Sequence, residues 1–246
     1  MNLNSSSSEN NFISGELFLN LSDEYNISEL KTNLKSDKFS YAWLTSVWPN
    51  DFGYKTKNWI KSNVNGGFGE NFDLQLVIHP NEPKVLKLLN LNWRHKNSEI
   101  KFYKNLPVAT LPEAFININE NEMKVNFKNS RVAGIDIDKG EMIVSPIFNK
   151  KAKAKITLEG SSKLYNFLNF LNEKDLNLLS KYKIGTKSDG EISFKSNFKW
   201  PVKQKIKKNE FFWEIDVLGE NLYLSTLPFN LTTDVSNFKL QSNNTE

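Results

Sequence analysis

Cysteine is absent from the 246 residues. That removes disulfide frameworks, thiolate metal sites and cysteine nucleophiles, and leaves the redox compartment open. No segment approaches the ~18 consecutive apolar residues of a membrane-spanning helix. Met1 leads into Asn2–Asn11, a polar Ser/Asn run without the basic start and apolar stretch of a secretory leader. Histidine occurs twice, as His79 and His95. Each sits at the end of an expected strand with no E-x-x-H or H-x-H partner, so both read as surface histidines rather than metal ligands or members of a triad. Asp136, Asp138 and Glu141 lack the spacing of a calcium loop. Gly66-Gly67-Phe68-Gly69 follows a helix-like stretch, whereas a dinucleotide loop follows a strand. Neither a G-x-S-x-G elbow nor a phosphate loop is present. These residues form no catalytic constellation, no metal centre and no cofactor site, and the chain reads as a non-enzyme.

What the chain has in abundance is alternation. Ala152, Ala154, Ile156 and Leu158 alternate with Lys151, Lys153, Lys155 and Thr157. Ile192, Phe194, Phe198 and Trp200 alternate with Glu191, Ser193, Lys195, Asn197 and Lys199. Phe72, Leu74, Leu76 and Ile78 repeat the pattern, as do Met123, Val125 and Phe127 against Glu122, Lys124, Asn126 and Lys128. A period of two sends neighbouring side chains to opposite faces, giving one apolar and one wet face per strand. Antiparallel strands read this way; parallel strands, buried on both faces, read as continuous apolar runs. The net charge of +4 is carried largely by lysines at outward positions, where solvated charge resists unwanted strand pairing.

Strands are expected at Ser14–Leu21, Glu29–Asp37, Asn71–His79, Lys84–His95, Glu99–Tyr103, Ala114–Asn119, Glu122–Asn129, Arg131–Asp138, Glu141–Ser145, Lys151–Glu159, Asp189–Trp200 and Glu210–Ser225. Asn119-Glu120-Asn121 and Asp138-Lys139-Gly140 suit hairpin turns. Helical insertions are expected near residues 40–65 and 161–184. The first ends at Asn65-Gly66-Gly67, where positive φ suits glycine. In the second, Leu164, Phe167, Leu168 and Leu171 fall at i, i+3, i+4 and i+7 behind the cap candidates Ser161 and Ser162. Asn172 then offers a cap for a second helix ending before Gly185. The organisation is therefore a disordered, unanchored start (1–11), one β-groove segment (12–230) and a polar tail (231–246). The fold class is mainly β with a few short helices: an elongated, curved antiparallel sheet forming an open, taco-like groove. Candidate lining residues of that groove are Leu74, Leu76, Val125, Phe127, Ile156, Leu158, Ile192, Phe194, Phe198 and Trp200. Trp93, Trp200 and Trp213 could stack on sugars or bases, but Trp200 shares a stripe with Phe194 and Phe198, which favours core or groove lining and no nucleic-acid partner.

Trp48-Pro49, Thr56-Lys57-Asn58-Trp59-Ile60, Asn63 and Asn65-Gly66-Gly67 resemble a passage in the central region of YhdP-type, AsmA-like proteins of Gram-negative bacteria. The resemblance continues in order over roughly residues 40–225. Asn105-Leu106-Pro107 to Leu111-Pro112 is similar to a proline-marked crossing, and Ser130–Gly134 with Lys139–Val144 to a strand pair. Ala154–Leu171 is similar to a strand and helix, and Gly190–Pro201 to the strand that follows. The resemblance implies a periplasmic bridge anchored in the inner membrane, whose apolar β-groove guides phospholipid between inner and outer membrane and supports outer-membrane integrity. Its partners would be phospholipid acyl chains and envelope membrane proteins. No anchor is found here, so the chain is expected to be a fragment of a longer protein. Two other readings remain: a non-catalytic β-sandwich binding carbohydrate or protein or serving a structural role, and an enzyme on a β scaffold, which would need a clustered acid/base pair that spacing alone does not show.

Overall fold

Alternation becomes pairing in the computed structural model, which describes residues 2–6, 12–22, 26–48, 54–82, 86–102, 105–147, 149, 151–174, 176–179, 188–203, 207, 210–225 and 230–241. The strands are β1 (Asn2–Ser6), β2 (Phe12–Leu21), β3 (Ile27–Ser40), β4 (Val64–Ile78), β5 (Leu86–Ile100), β6 (Ala109–Asn119), β7 (Met123–Val132), β8 (Ile135–Ser145), β9 (Lys153–Lys163), β10 (Asp189–Pro201), β11 (Phe212–Ser225) and β12 (Asn230–Gln241). Three helices interrupt them: α1 (Tyr41–Val47) and α2 (Tyr54–Asn63) between β3 and β4, and α3 (Leu164–Leu171) between β9 and β10. All twelve strands belong to one antiparallel sheet whose order is the order of the sequence. β1 and β12 stand at opposite ends of that order, and the sheet is open, not a closed barrel.

Two compact units divide the chain, the first comprising residues 1–99, 112–126 and 143–149, the second 100–111, 127–142 and 150–246. In the first, β3 pairs with β2 and β4, so Leu30 lies between Leu19 and Ile78, Thr32 between Leu17 and Leu76, and Leu34 between Gly15 and Leu74. The core of this unit gathers Phe39, Tyr41, Leu44, Ile60 and Phe72, with α1 and α2 supplying its helical part. Phe39 meets Phe72 edge-on at 5.6 Å between centroids and Tyr41 at 5.7 Å, a geometry contributing about 0.5–1.5 kcal/mol per pair beyond area burial. Gly69, opposite Phe39 in the ladder, has no room for a side chain: a Cβ there would lie 2.0 Å from Phe39 Cζ.

The second unit is built on β9, β10 and β11 with α3. An eight-residue helix is marginal alone, and Lys163 at its N-cap makes no side-chain cap bond. Its stability comes from the stripe Leu164, Phe167, Leu168 and Leu171, all 4% exposed or less, each burial contributing about 1.5–3 kcal/mol. These four join Val132, Ile135, Ile137, Ile192, Phe194, Trp213, Ile215, Val217 and Leu222 in one cluster.

Several expectations are corrected. Asn2–Ser6, expected to be unanchored, pairs with β2, because ladder bonds are made by the backbone and need no apolar pattern. Likewise Asn230–Gln241, expected as a polar tail, pairs with β11, setting Leu240 opposite Ile215 and Phe238 opposite Val217. Asp138-Lys139-Gly140 is no turn but lies inside β8. The β7–β8 turn is Ala133-Gly134, at φ 51° and 78°, the double positive φ that type I′ hairpins require. Gly140 instead receives the Phe127 ring, whose Cζ would lie 2.2 Å from an added Cβ. Ser161 and Ser162 do not cap α3, because β9 stays paired with β10 through Lys163; Ser162 Oγ donates to the Gly134 and Lys163 carbonyls at 3.3 and 3.0 Å. Residues 172–174 and 176–179 are turns or irregular where a second helix was expected, and the rest of that expected helix lies outside the described residues. Gly66 and Gly67 do take positive φ, 67° and 73°, just after α2.

Candidate functional site

The surface to consider is the apolar face of the sheet, which each unit treats differently. Along β2–β4, Leu17, Leu19, Leu30, Leu34, Leu74, Leu76 and Ile78 share one face by register. Glu16, Asn33 and Gln75 share the other, as do Ser14, Lys35 and Asp73. Near Leu34 and Leu74 this aliphatic face runs into the core beneath α1 and α2. Farther along it is only partly covered by the described residues: Leu19 is 48% exposed, and Leu17, Leu30 and Ile78 are half-buried. The row is aliphatic except for Thr32, whose hydroxyl donates to the Glu16 carbonyl at 3.0 Å and so presents no free donor.

In the second unit the apolar face of β9 and β10 is partly closed. Ile192 and Phe194 are 3% and 5% exposed, with the Phe194 ring 4.9 Å from that of Phe167 on α3. These two candidate lining residues are therefore core under a helix, not open groove. Ile156, Leu158, Phe198 and Trp200 are half-buried, and Phe211 lies 6.1 Å from Phe198 and 6.0 Å from Trp200. Phe127 is half-buried over Gly140. Of the candidates in the first unit, Leu76 is buried and Leu74 and Val125 are half-buried. Leu17, Leu19, Leu30, Leu34 and Ile78 share this aliphatic face but are missing from the candidates, although Leu17/Leu19 and Leu30/Leu34 show the same alternation.

Ser196 interrupts the inner stripe of β10 between Phe194 and Phe198, with Leu158 and Ile215 on either side. It is 2% exposed, and its hydroxyl has no hydrogen-bond partner among the described residues. An unpaired buried hydroxyl costs about 1–3 kcal/mol. Ser196→Ala is therefore expected to raise stability by about 1 kcal/mol, read as a higher urea midpoint. A lower midpoint would show that the hydroxyl has a partner in solution.

The outward face of β9–β10 carries the charge. Lys195 is 69% exposed and its Nζ lies 3.7 Å from Glu159, which Lys139 also reaches at 2.9 Å. The Lys139 hydrogen bond is the first cause holding the Glu159 carboxyl below its ordinary value, with burial opposing it and Lys195 adding to it. His79 is a partly exposed strand-end histidine, as expected, with Glu29 and Glu82 at 3.1 and 2.6 Å.

His95 is not a surface residue. β5 runs past it to Ile100, so it sits in mid-strand, 3% exposed. Its Nδ1 lies 2.5 Å from the Tyr41 hydroxyl and its Nε2 2.7 Å from Ser98 Oγ, while Trp93 Nε1 donates to the same Tyr41 oxygen at 3.1 Å. A serine beside a histidine invites a catalytic reading, but the third member is a phenol and all three residues are buried, Ser98 at 6% and Tyr41 at 7%. Burial, the larger cause, pushes the Tyr41 phenol above its ordinary value, with the Trp93 bond opposing. The arrangement ties α1 to the sheet.

The passage that carries the family resemblance forms this same helical corner. Lys57 Nζ donates to the Trp48 carbonyl at 2.7 Å, Asn63 Nδ2 to the Trp59 carbonyl at 2.8 Å, and Ile60 is buried; Pro49 lies outside the described residues. Comparison with protein-family models, with curated proteins and with solved structures gives no match.

Proposed function

We propose that the protein is a non-catalytic, lipid-binding β-segment whose aliphatic sheet face holds phospholipid acyl chains. The observation that carries this reading is the face of β2–β4, where Leu17, Leu19, Leu30 and Ile78 line up half-buried to exposed while the reverse face is mostly polar. Water penalises such a surface at about 25 cal/mol per Å², and an acyl chain gains about 0.8 kcal/mol per buried CH₂. Aliphatic contacts have no preferred direction, so a chain can slide along such a row without meeting a deep well. The resemblance to YhdP-type, AsmA-like proteins supports a place in the periplasm of a Gram-negative envelope, anchored to the inner membrane through a part of the protein outside this segment. There it would guide phospholipid toward the outer membrane and help maintain outer-membrane integrity, with envelope membrane proteins as further partners.

Neighbours on a strand point oppositely, which supplies the test. A photo-crosslinking residue at position 30, between Leu19 and Ile78, is expected to capture phospholipid in cells. One at position 31, between Phe18 and Val77 on the reverse face, is not. A crosslinker at position 194 should capture α3 rather than lipid, because Phe167 lies over it. Equal lipid capture at 30 and 31, or none at either, would remove the lipid reading. The closed core around α3 would then favour the structural or protein-binding module.

A further inference from the structure

The outward face of β9 and β10 changes character along its length. Lys195 stands opposite Glu159 in the ladder and lies 3.7 Å from its carboxylate. Farther along the same two strands, Lys199 stands directly opposite Lys155, and Lys153, opposite Pro201, follows on the same face. Like charges set opposite each other across two strands are destabilising, so the sheet loses here what it gains at Glu159. Lysines that guard a free sheet edge have a protective use, but β9 and β10 are interior strands, each with a neighbour on both sides.

The same end gathers further positive charge. The Val202 N–H donates to the Ala152 carbonyl at 2.8 Å, which ties the start of the β10–β11 connection to the residue before β9. Lys151 and Lys203, next to those two residues in sequence, are exposed, as are Lys153, Lys155, Lys199 and Lys207. Among the described residues no carboxylate pairs with Lys153, Lys155 or Lys199; Lys199 Nζ lies 5.4 Å from the centre of the Phe212 ring. Glu210 is engaged by Lys203 at 2.5 Å and by the Lys207 N–H at 2.9 Å. Glu214 stands opposite Asn197, nearer the middle of the strands.

The inner face at this end is apolar. Trp200 and Phe198 are half-buried against Phe211, and Val202 beyond them is 47% exposed. Long cationic side chains beside an aromatic and aliphatic rim suit a bilayer interface, where ammonium groups reach phosphates and rings sit at head-group level. A nucleic acid fits less well. Trp200 and Phe198 lie on the face away from the lysines, where they cannot stack bases between contacted phosphates. Arginine, whose planar fork grips phosphate in two places, does not occur in 149–155 or 199–212.

We propose that this end of the β9–β10 pair docks on an anionic lipid surface, with Lys153, Lys155 and Lys199 meeting its phosphates. The docking goes beyond the acyl-chain reading and does not depend on it: it concerns head groups on the outward face, not chains on the inner one. Each lysine near such a surface contributes about fivefold in affinity, and salt screens the attraction.

Cosedimentation with vesicles of phosphatidylglycerol and phosphatidylcholine, against phosphatidylcholine alone, tests this at about 0.1 and 1 M salt. Binding is expected to the anionic vesicles only, and to weaken at the higher salt. Lys153→Gln/Lys155→Gln/Lys199→Gln should lose roughly a hundredfold in affinity. The charge-matched set Lys31→Gln/Lys35→Gln/Lys61→Gln should lose less than about fivefold. All six positions are exposed, so both variants should fold, and the first should have a urea midpoint no lower than the wild type. Absence of binding, equal binding to phosphatidylcholine, or equal loss in the two variants overturns the docking. So does a single-stranded oligonucleotide that binds more tightly than the vesicles and displaces them, which would assign the patch to nucleic acid. Lipid capture by the crosslinker at position 30 should survive in the first variant, so failure of the docking and failure of the acyl-chain reading are told apart.

Discussion

Replacing Phe167 with alanine is expected to destabilise the second unit by about 3–5 kcal/mol. Replacing it with aspartate should prevent that unit from folding, since a carboxylate would face the Phe194 ring with no partner. Phe167 is 3% exposed and its ring meets Phe194 at 4.9 Å. It also stands at the centre of a stripe that accounts for nearly all of the reason for α3 to be helical. Urea unfolding followed by tryptophan fluorescence reads the effect, because Trp213 belongs to the same cluster. The control is Tyr165→Asp: Tyr165 is 50% exposed on the same helix and its loss should stay within about 0.5 kcal/mol. Asn166 makes a poorer control, because its side-chain amide donates to the Gly134 carbonyl at 3.5 Å. Equal tolerance of Phe167→Asp and Tyr165→Asp would mean that α3 does not dock on the sheet.

The first unit offers a prediction of similar size with a sharper signature. Phe39→Ala should cost about 3–5 kcal/mol, the ring being 1% exposed. Gly69→Ala should cost about 1–3 kcal/mol, because the new methyl would begin 2.0 Å from Phe39 Cζ. In the double variant the methyl enters space that the ring has vacated. The double variant should therefore be little worse than Phe39→Ala alone, with a coupling of about 1–3 kcal/mol. Strict additivity in a urea-unfolding cycle would show that the ring does not occupy the glycine's place.

The fold class was legible because alternation is a local signal. Ile192–Trp200 and Ala152–Leu158 declare their inner faces residue by residue, and the structure places them on adjacent strands of one sheet. Limits of the signal appear where the backbone alone decides. Nothing in Asn2–Ser6 distinguishes a paired strand from a loose terminus, since its residues carry almost no apolar pattern. Gly140 misleads for a different reason: glycine marks turns through positive φ, but here its use is the missing side chain beneath Phe127. The true turn holds Ala133 at φ 51°, a conformation for which alanine gives no warning. In β12 only Phe238 and Leu240 alternate, and Leu231 and Val235 fall out of phase with them, so the polar stretch gave little warning of a strand.

The site was less legible than the fold. Alternation identifies which side chains share a face but not whether a helix from elsewhere lands on that face. Ile192 and Phe194 look as open in sequence as Leu17 and Leu30; α3 covers the first pair, while Leu17 and Leu30 are not among the residues that the described helices gather into a core. His95 was hidden because its strand continues through Lys96-Asn97-Ser98, polar residues that look like an ending. That its ring is buried depends on Tyr41, far away in the chain.

A sheet whose strands are ordered as they are in the chain has a kinetic consequence. Each strand can join as soon as its predecessor is in place, so pairing proceeds like a zip, and most steps close only short loops. The β7–β8 step is among the quickest of these, its strands being joined by Ala133 and Gly134 alone. The exceptions are the β3–β4 step, which closes over α1 and α2, and the β9–β10 step, where α3 and the residues after it must be gathered before Lys163 can meet Glu191. In the latter the helix acts as a splint: by packing Phe167 on Phe194 it compensates the closure entropy of the longest connection, and folding should wait at that joint.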